Sequence, residues 1–156
     1  MTTQVSTGFK SKILGPYSFA SIFNGGHILV YDGVRPATAD GGYAGAPLGF
    51  ISRNGLPLGV GEPATLRFFQ SGPYITQPYT DILAFTALRD GHATWFRLFG
   101  PTPDDNSTSY ALPRIDGDVS LAAGTGELRM PSLDFLANDA VRPVSFFYSI
   151  PPIVGA

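Results

Sequence analysis

Apolar positions fall in short runs of strand-like character, each closed by glycine, proline, asparagine or aspartate. His27–Tyr31 (HILVY) is β-branched and aromatic and predicts a strand. It runs into Asp32-Gly33-Val34-Arg35-Pro36, a turn followed by an extended residue before proline. Residues 37–47 (ATADGGYAGAP) are too small and glycine-rich to fill a core and read as a loop. Leu48–Ser52 predicts a second strand, and Asn54-Gly55 behind it is the strongest turn dipeptide in the chain. Thr65–Phe69 alternates enough for another strand, and residues 70–81 then read as a loop presenting Tyr74 and Tyr79 between prolines. Ile82–Arg89 and His92–Phe99 flank Asp90-Gly91, which predicts a β-hairpin. Both faces of these two runs are largely apolar, which places them centrally in a sheet. After a polar loop at 101–109 come strands at 114–121, 127–136 and 145–150, with a glycine loop at 122–126 between the first two.

Helical spacing occurs once, from Phe9 to Phe23, where Phe9, Ile13 and Tyr17 share a face. Gly15-Pro16 interrupts it, leaving either one kinked helix or two short turns, and Asn24-Gly25-Gly26 ends it. About eight or nine short strands with one short N-terminal helix predict a mainly β fold, a β-sandwich or jelly-roll-like barrel. The expected organisation is a flexible polar arm over 1–8, free or laid on a neighbour, a single β domain over 9–150, and an apolar tail over 151–156.

Composition sharpens the picture at one point. The 156 residues suit one domain, and 44% hydrophobic with 13% aromatic residues suffices for a core. Only 14% are charged, where about 25% is usual. That deficit points to a surface covered by partners. Glycine (19) and proline (14) disfavour long helices. A net charge of −2, two lysines (Lys10, Lys12) and scattered arginines argue against a nucleic-acid binder that works by neutralising phosphates. No apolar run approaches the ~20 residues that span a bilayer, and MTTQVSTGF lacks the apolar core of a signal peptide. Without cysteine there is no disulfide, thiol nucleophile or thiolate metal site, which fits assembly in a reducing cytoplasm.

Reactive groups are sparse. His27 and His92 each open a predicted strand, and a structural role is expected of both. No G-x-S-x-G, Walker A, H-E-x-x-H or dinucleotide pattern occurs. Asp104-Asp105-Asn106 and Asp116-Gly117-Asp118 are the dense acidic spots, without EF-hand spacing, and read as turn formers on wet loops. Glu62 and Glu127 nominate no facing carboxylate pair. Asn106-Ser107-Thr108 matches a glycosylation sequon, an accident in a chain without a secretion signal. The expectation is therefore no catalytic residue, no cofactor and no metal. Phe68, Phe69, Phe85, Trp95, Phe96, Phe99, Phe146 and Phe147 are expected in the core. The pairs Phe68-Phe69 and Phe146-Phe147 put one ring on each face, so one of each pair is exposed unless something covers it. Tyr74, Tyr79, Pro151, Pro152, Ile153 and Val154 are the candidate contact surface.

The segment GGHILVYDGVRPATADGGYAGAPLGFIS resembles the opening of small tailed-bacteriophage virion proteins. The shared features are a short helix, a glycine, a strand, a Y-x-G-x-x-P turn (Tyr31, Gly33, Pro36) and an A-x-A-D loop (Ala37, Ala39, Asp40). Further on, Ala93 to Leu98, Asp116-Gly117-Asp118-Val119, a glycine loop and a terminal strand rich in Ser and Phe are similar too. The resemblance spans most of residues 10–150, departing at Gly15-Pro16 and at the proline-rich 70–79. It implies a β-rich building block and not an enzyme. The leading expectation is a capsid decoration (cement) protein on the major capsid protein, a homo-dimer or homo-trimer without nucleic acid or membrane, located in the virion. The alternatives are a tail, collar or head-fibre subunit, and a host-glycan-binding sandwich with loop tyrosines as stacking platforms.

Overall fold

The computed structural model describes residues 3–59, 64–71, 74–78 and 80–146. The fold is mainly β, a curled mixed sheet forming a half-barrel. In chain order the elements are β1 (Gln4–Val5), α1 (Thr7–Ile13), α2 (Phe19–Phe23), β2 (His27–Tyr31), β3 (Gly49–Arg53), β4 (Phe69–Ser71) and β5 (Tyr74–Thr76). They continue with β6 (Leu83–Ala87), β7 (Gly91–His92), β8 (Trp95–Phe99), β9 (Arg114–Leu121), β10 (Leu128–Met130), β11 (Asp134–Phe135), β12 (Ala140–Val141) and β13 (Ser145–Phe146). The principal sheet runs β12-β6-β3-β2-β8-β9-β10-β13, with β1 paired to β9. Its pairings are antiparallel except β9 with β10. β12 and β13 stand at opposite ends of that order, yet residues 142–144 alone separate them in the chain. A link that short spans at most ~3.5 Å per residue, so the sheet curls until its two edges approach.

The helical stretch is two pieces, separated at Gly15-Pro16. Ser6 caps α1 by accepting from Phe9 N–H, and Ser18 with Ser21 forms a capping box on α2. Phe9, Phe19 and Phe23 pack together and belong to the hydrophobic core of the sheet. The main core is one face of the sheet: Ile28 and Val30 of β2, Ile51 of β3, Phe85 of β6, Phe96 and Leu98 of β8, and Ile115 of β9. Gly26 enters β2 so close to β8 that a Cβ there would lie 1.9 Å from the Phe99 carbonyl oxygen.

Four expectations are corrected, beginning with the strand over 127–136, which divides into β10 in the principal sheet and β11 paired with β7. The hairpin around Asp90-Gly91 does not form: β6 pairs with β3 and β12, while β8 pairs with β2 and β9. Neither Asp90 nor Gly91 has the positive φ of a tight hairpin turn. Asp90 instead accepts from Ala137 N–H, and Gly91 and His92 pair with β11. Parted, β6 and β8 each lie between two other strands of the principal sheet. Thr65–Phe68 is not a strand but a strap, with Leu66 bonded to Gly25 and Gly26, and behind it β4 and β5 pair antiparallel. Residues 3–8 are no free arm, because β1 pairs with β9 and Thr7 bonds Asp40.

Of the aromatic residues expected inside, Phe68, Phe85, Trp95, Phe96, Phe99 and Phe146 are buried. Phe69 is exposed, as the face argument for Phe68-Phe69 requires. Phe147 lies outside the described residues.

Candidate functional site

Side chains alternate across a strand, so β8 sends Trp95, Arg97 and Phe99 to the face opposite the core. β9 does the same with Arg114, Asp116 and Asp118, and β2 with His27, Leu29 and Tyr31. The antiparallel registers align these residues in three rows: His27–Phe99–Arg114, Leu29–Arg97–Asp116 and Tyr31–Trp95–Asp118. Each row carries charge, and two loops, at 32–47 and 101–112, lie over them.

At the centre Arg97 and Asp116, both fully buried, form a bidentate pair: Nε to Oδ1 at 2.7 Å and Nη2 to Oδ2 at 2.8 Å. The third guanidinium nitrogen, Nη1, donates to Asn106 Oδ1 at 2.6 Å. Asn106 sits at φ +64, a conformation asparagine tolerates better than most residues. Its Nδ2 donates to the Tyr31 hydroxyl (2.9 Å) and the Tyr43 carbonyl (3.2 Å). A second buried pair joins Arg114 to Asp104, Nε to Oδ2 at 2.7 Å and Nη2 to Oδ1 at 2.6 Å. Arg114 also donates to the carbonyls of Ser107 and Asp40. Asp104 in turn accepts from Asn106 N–H. Loop 101–112 is thereby tied to the sheet through Asn106 on Arg97 and Asp104 on Arg114, a connected buried polar network of the kind that rigidifies a fold.

Aromatic rings complete the layer. Trp95 stacks on Tyr31 with centroids 4.4 Å apart, meets Tyr43 edge-on at 5.0 Å, and has the Arg97 guanidinium over its ring at 5.5 Å. Burial pushes the Tyr31 phenol well above its usual range, so it stays neutral. Burial also pushes the Asp116 carboxyl up, against the opposing pull of Arg97. Along the outer edge of β9, β1 covers residues 115–116 and β10 covers 119–121. The Asp118 N–H in the gap is taken by Glu127 Oε2 at 3.0 Å, and Thr3 bonds the other Glu127 oxygen. Glu127 thus stands in for a missing strand. Arg35 approaches Asp118 at 3.7 Å.

The acidic spots are therefore not wet turns. Asp116 and Asp104 are buried ion-pair partners and Asn106 is the hub between them, while Asp105 remains a turn former bonded to Ser107. The sequence signal was there: WFRLF and RIDGD at period two place a cation and an anion on one face of neighbouring strands. What it lacked was the pairing of those two strands.

His27 lies flat on Phe99 at 5.0 Å, its pKa lowered by burial with Asp104 opposing. His92 bonds Asp134 through Nδ1 at 2.7 Å on the surface. The two histidines are on different strands with different partners and are not brought together. Tyr74 contributes its backbone to β5. The side chain of Tyr74, and Tyr79, Pro151, Pro152, Ile153 and Val154 altogether, lie outside the described residues. Among the described residues no three His, Asp or Glu side chains converge as metal ligands, and no helix is long and apolar enough to cross a membrane.

Comparison with known proteins adds no relative: no family model, no curated protein and no solved structure matches this chain. The chemistry of the site is accordingly read from its own geometry. Arg97 and Arg114 face their aspartates in bidentate geometry, and the Tyr31 phenol is neutral. The arrangement positions loops.

Proposed function

We propose that this chain is a structural subunit of a tailed-bacteriophage virion, a decoration protein that binds the outer capsid surface in many copies and stabilises the shell. The observation that carries the reading is where the charge resides. Five of the eight arginines (Arg35, Arg67, Arg89, Arg97, Arg114) are ion-paired to aspartates within the fold. In a chain with only 14% charged residues, these five pairs engage ten of the 22 charged side chains. Meanwhile large apolar side chains stand exposed, among them Val34 at 86%, Leu14 at 74% and Leu136 at 64%. Such a surface suits repeated contact with a lattice, where modest affinity per site is multiplied by the number of sites. The sequence resemblance to virion proteins supports the same reading, and the major capsid protein is the partner it implies.

The test is addition of the purified chain to shells of its phage assembled without it, followed by co-sedimentation and image reconstruction. Saturable uptake over the outer surface is the expected result. Bare shells at saturating protein, with the chain found in tails instead, would overturn the proposal.

A further inference from the structure

The sequence contains asparagine followed by glycine at two places, and the fold treats them differently. At Asn24-Gly25 the side-chain Oδ1 accepts from Phe68 N–H at 2.6 Å, and Gly25 N–H donates to the Leu66 carbonyl at 2.9 Å. Both groups are engaged. At Asn54-Gly55 the two residues form the centre of an exposed turn with φ +60 and +68. The turn's own backbone bond, Leu56 N–H to the Arg53 carbonyl, is long at 3.4 Å, and the Ser52 hydroxyl donates to the Leu56 carbonyl across it at 2.7 Å. Neither the Asn54 carboxamide nor the Gly55 N–H has a hydrogen-bond partner among the described residues.

We propose that Asn54 is a site of spontaneous covalent modification, intramolecular deamidation through the Gly55 nitrogen. The Gly55 amide nitrogen loses its proton and attacks Asn54 Cγ. The new N–Cγ bond closes a five-membered imide as the Cγ–Nδ2 bond breaks, and Nδ2 leaves as ammonia carrying that proton. Water then opens the imide at either carbonyl, giving aspartate or isoaspartate at position 54. Glycine at 55 presents no side chain to obstruct the ring, and the Asn54 carboxamide and Gly55 N–H can meet without giving up a hydrogen bond of their own. The product adds a negative charge to a chain of net −2. Its isoaspartate form lengthens the main chain beside Asn54 N–H, which bonds the Ile82 carbonyl, and Leu56, whose carbonyl accepts from Ser52.

The folded full-length chain, incubated in mildly alkaline buffer beside a sample unfolded in urea, is mapped by peptide mass spectrometry, with isoaspartate scored by enzymatic methyl transfer. In the folded sample position 54 converts at least about tenfold faster than position 24, because two hydrogen bonds must first be given up at Asn24. In urea the difference disappears. Asn54→Gln suppresses conversion at position 54, since its ring would have six members, and leaves position 24 as before. Equal rates at positions 24 and 54 in the folded sample, or an intact Asn54 when the urea sample has converted, would overturn the proposal.

Discussion

Removing one partner of the Arg97–Asp116 pair tests whether the sheet face opposite the core is an ion-pair scaffold. Both side chains are fully buried and joined by two hydrogen bonds. Asp116→Ala leaves the Arg97 guanidinium charged, out of water and bound only through Nη1 to Asn106. Breaking a buried pair from one side is expected to destabilise by about 3–5 kcal/mol. That is a large share of a total stability of roughly 5–15 kcal/mol. For a chain of this length, ~1 kcal/mol moves Tm by roughly 2–4 °C, so the single variant should melt about 6–20 °C lower. Arg97→Met/Asp116→Ala removes both charges together, leaving a lost-packing penalty smaller than the sum of the singles, with a coupling energy of at least about 2 kcal/mol. Urea unfolding followed by Trp95 fluorescence reads the site directly, since this is the one tryptophan in the sequence and it lies 5.5 Å from the Arg97 guanidinium. Circular dichroism on the same samples checks that the transition is two-state. Strictly additive single effects, or an Asp116→Ala cost under about 1 kcal/mol, would refute the scaffold argument.

Two further outcomes are expected. Gly26→Ala places a methyl group 1.9 Å from the Phe99 carbonyl oxygen, where backbone must move, so β2 and β8 separate and the variant loses its cooperative unfolding transition; a native-like melting curve contradicts this. His27, with a pKa lowered by burial beneath its ordinary 6.5, resists protonation in the fold. Its contribution to stability is complete above pH 6.5 and is lost as pH falls from 6.5 toward the folded-state value. An NMR titration of the ring should show a midpoint below 6.5, and a midpoint above it would disprove the burial argument.

Strands were legible at several places where β-branched and aromatic residues stood between turn residues, although Thr65–Phe68 had the same pattern and is a strap. β2 and β9 coincide with the sequence expectation and β3 differs by one residue, because local pattern and tertiary pairing agree there. The Asp90-Gly91 hairpin failed for a physical reason: turn chemistry reports what a chain can do locally, whereas two-sided apolar strands compete for neighbours across the whole sheet. Pro16 was read correctly as a break, yet the sequence could not choose between a kink and two helices. The ion-pair face was visible only as an alternation, Trp95-Arg97-Phe99 against Arg114-Asp116-Asp118. Turning that alternation into contacts required knowing that β8 and β9 are adjacent and in which register.

That register explains how so sparsely charged a chain secures its long loops. Loop 101–112 brings Asp104 and Asn106 down onto arginines that the strands already hold in place, and loop 32–47 brings Tyr43 and Asp40 to the same surface. Hydrophobic burial could close these loops but not choose one position for them, since apolar contact is non-directional. Bidentate Arg–carboxylate bonds are directional and admit few alternatives. The sheet therefore divides the labour between its faces: one side supplies the bulk of the burial through Phe85, Phe96, Leu98 and their neighbours, and the other sets loop geometry with a handful of charges. A fold organised this way uses its few arginine–aspartate pairs to hold loops, while Val34, Leu14 and Leu136 stand exposed outside them.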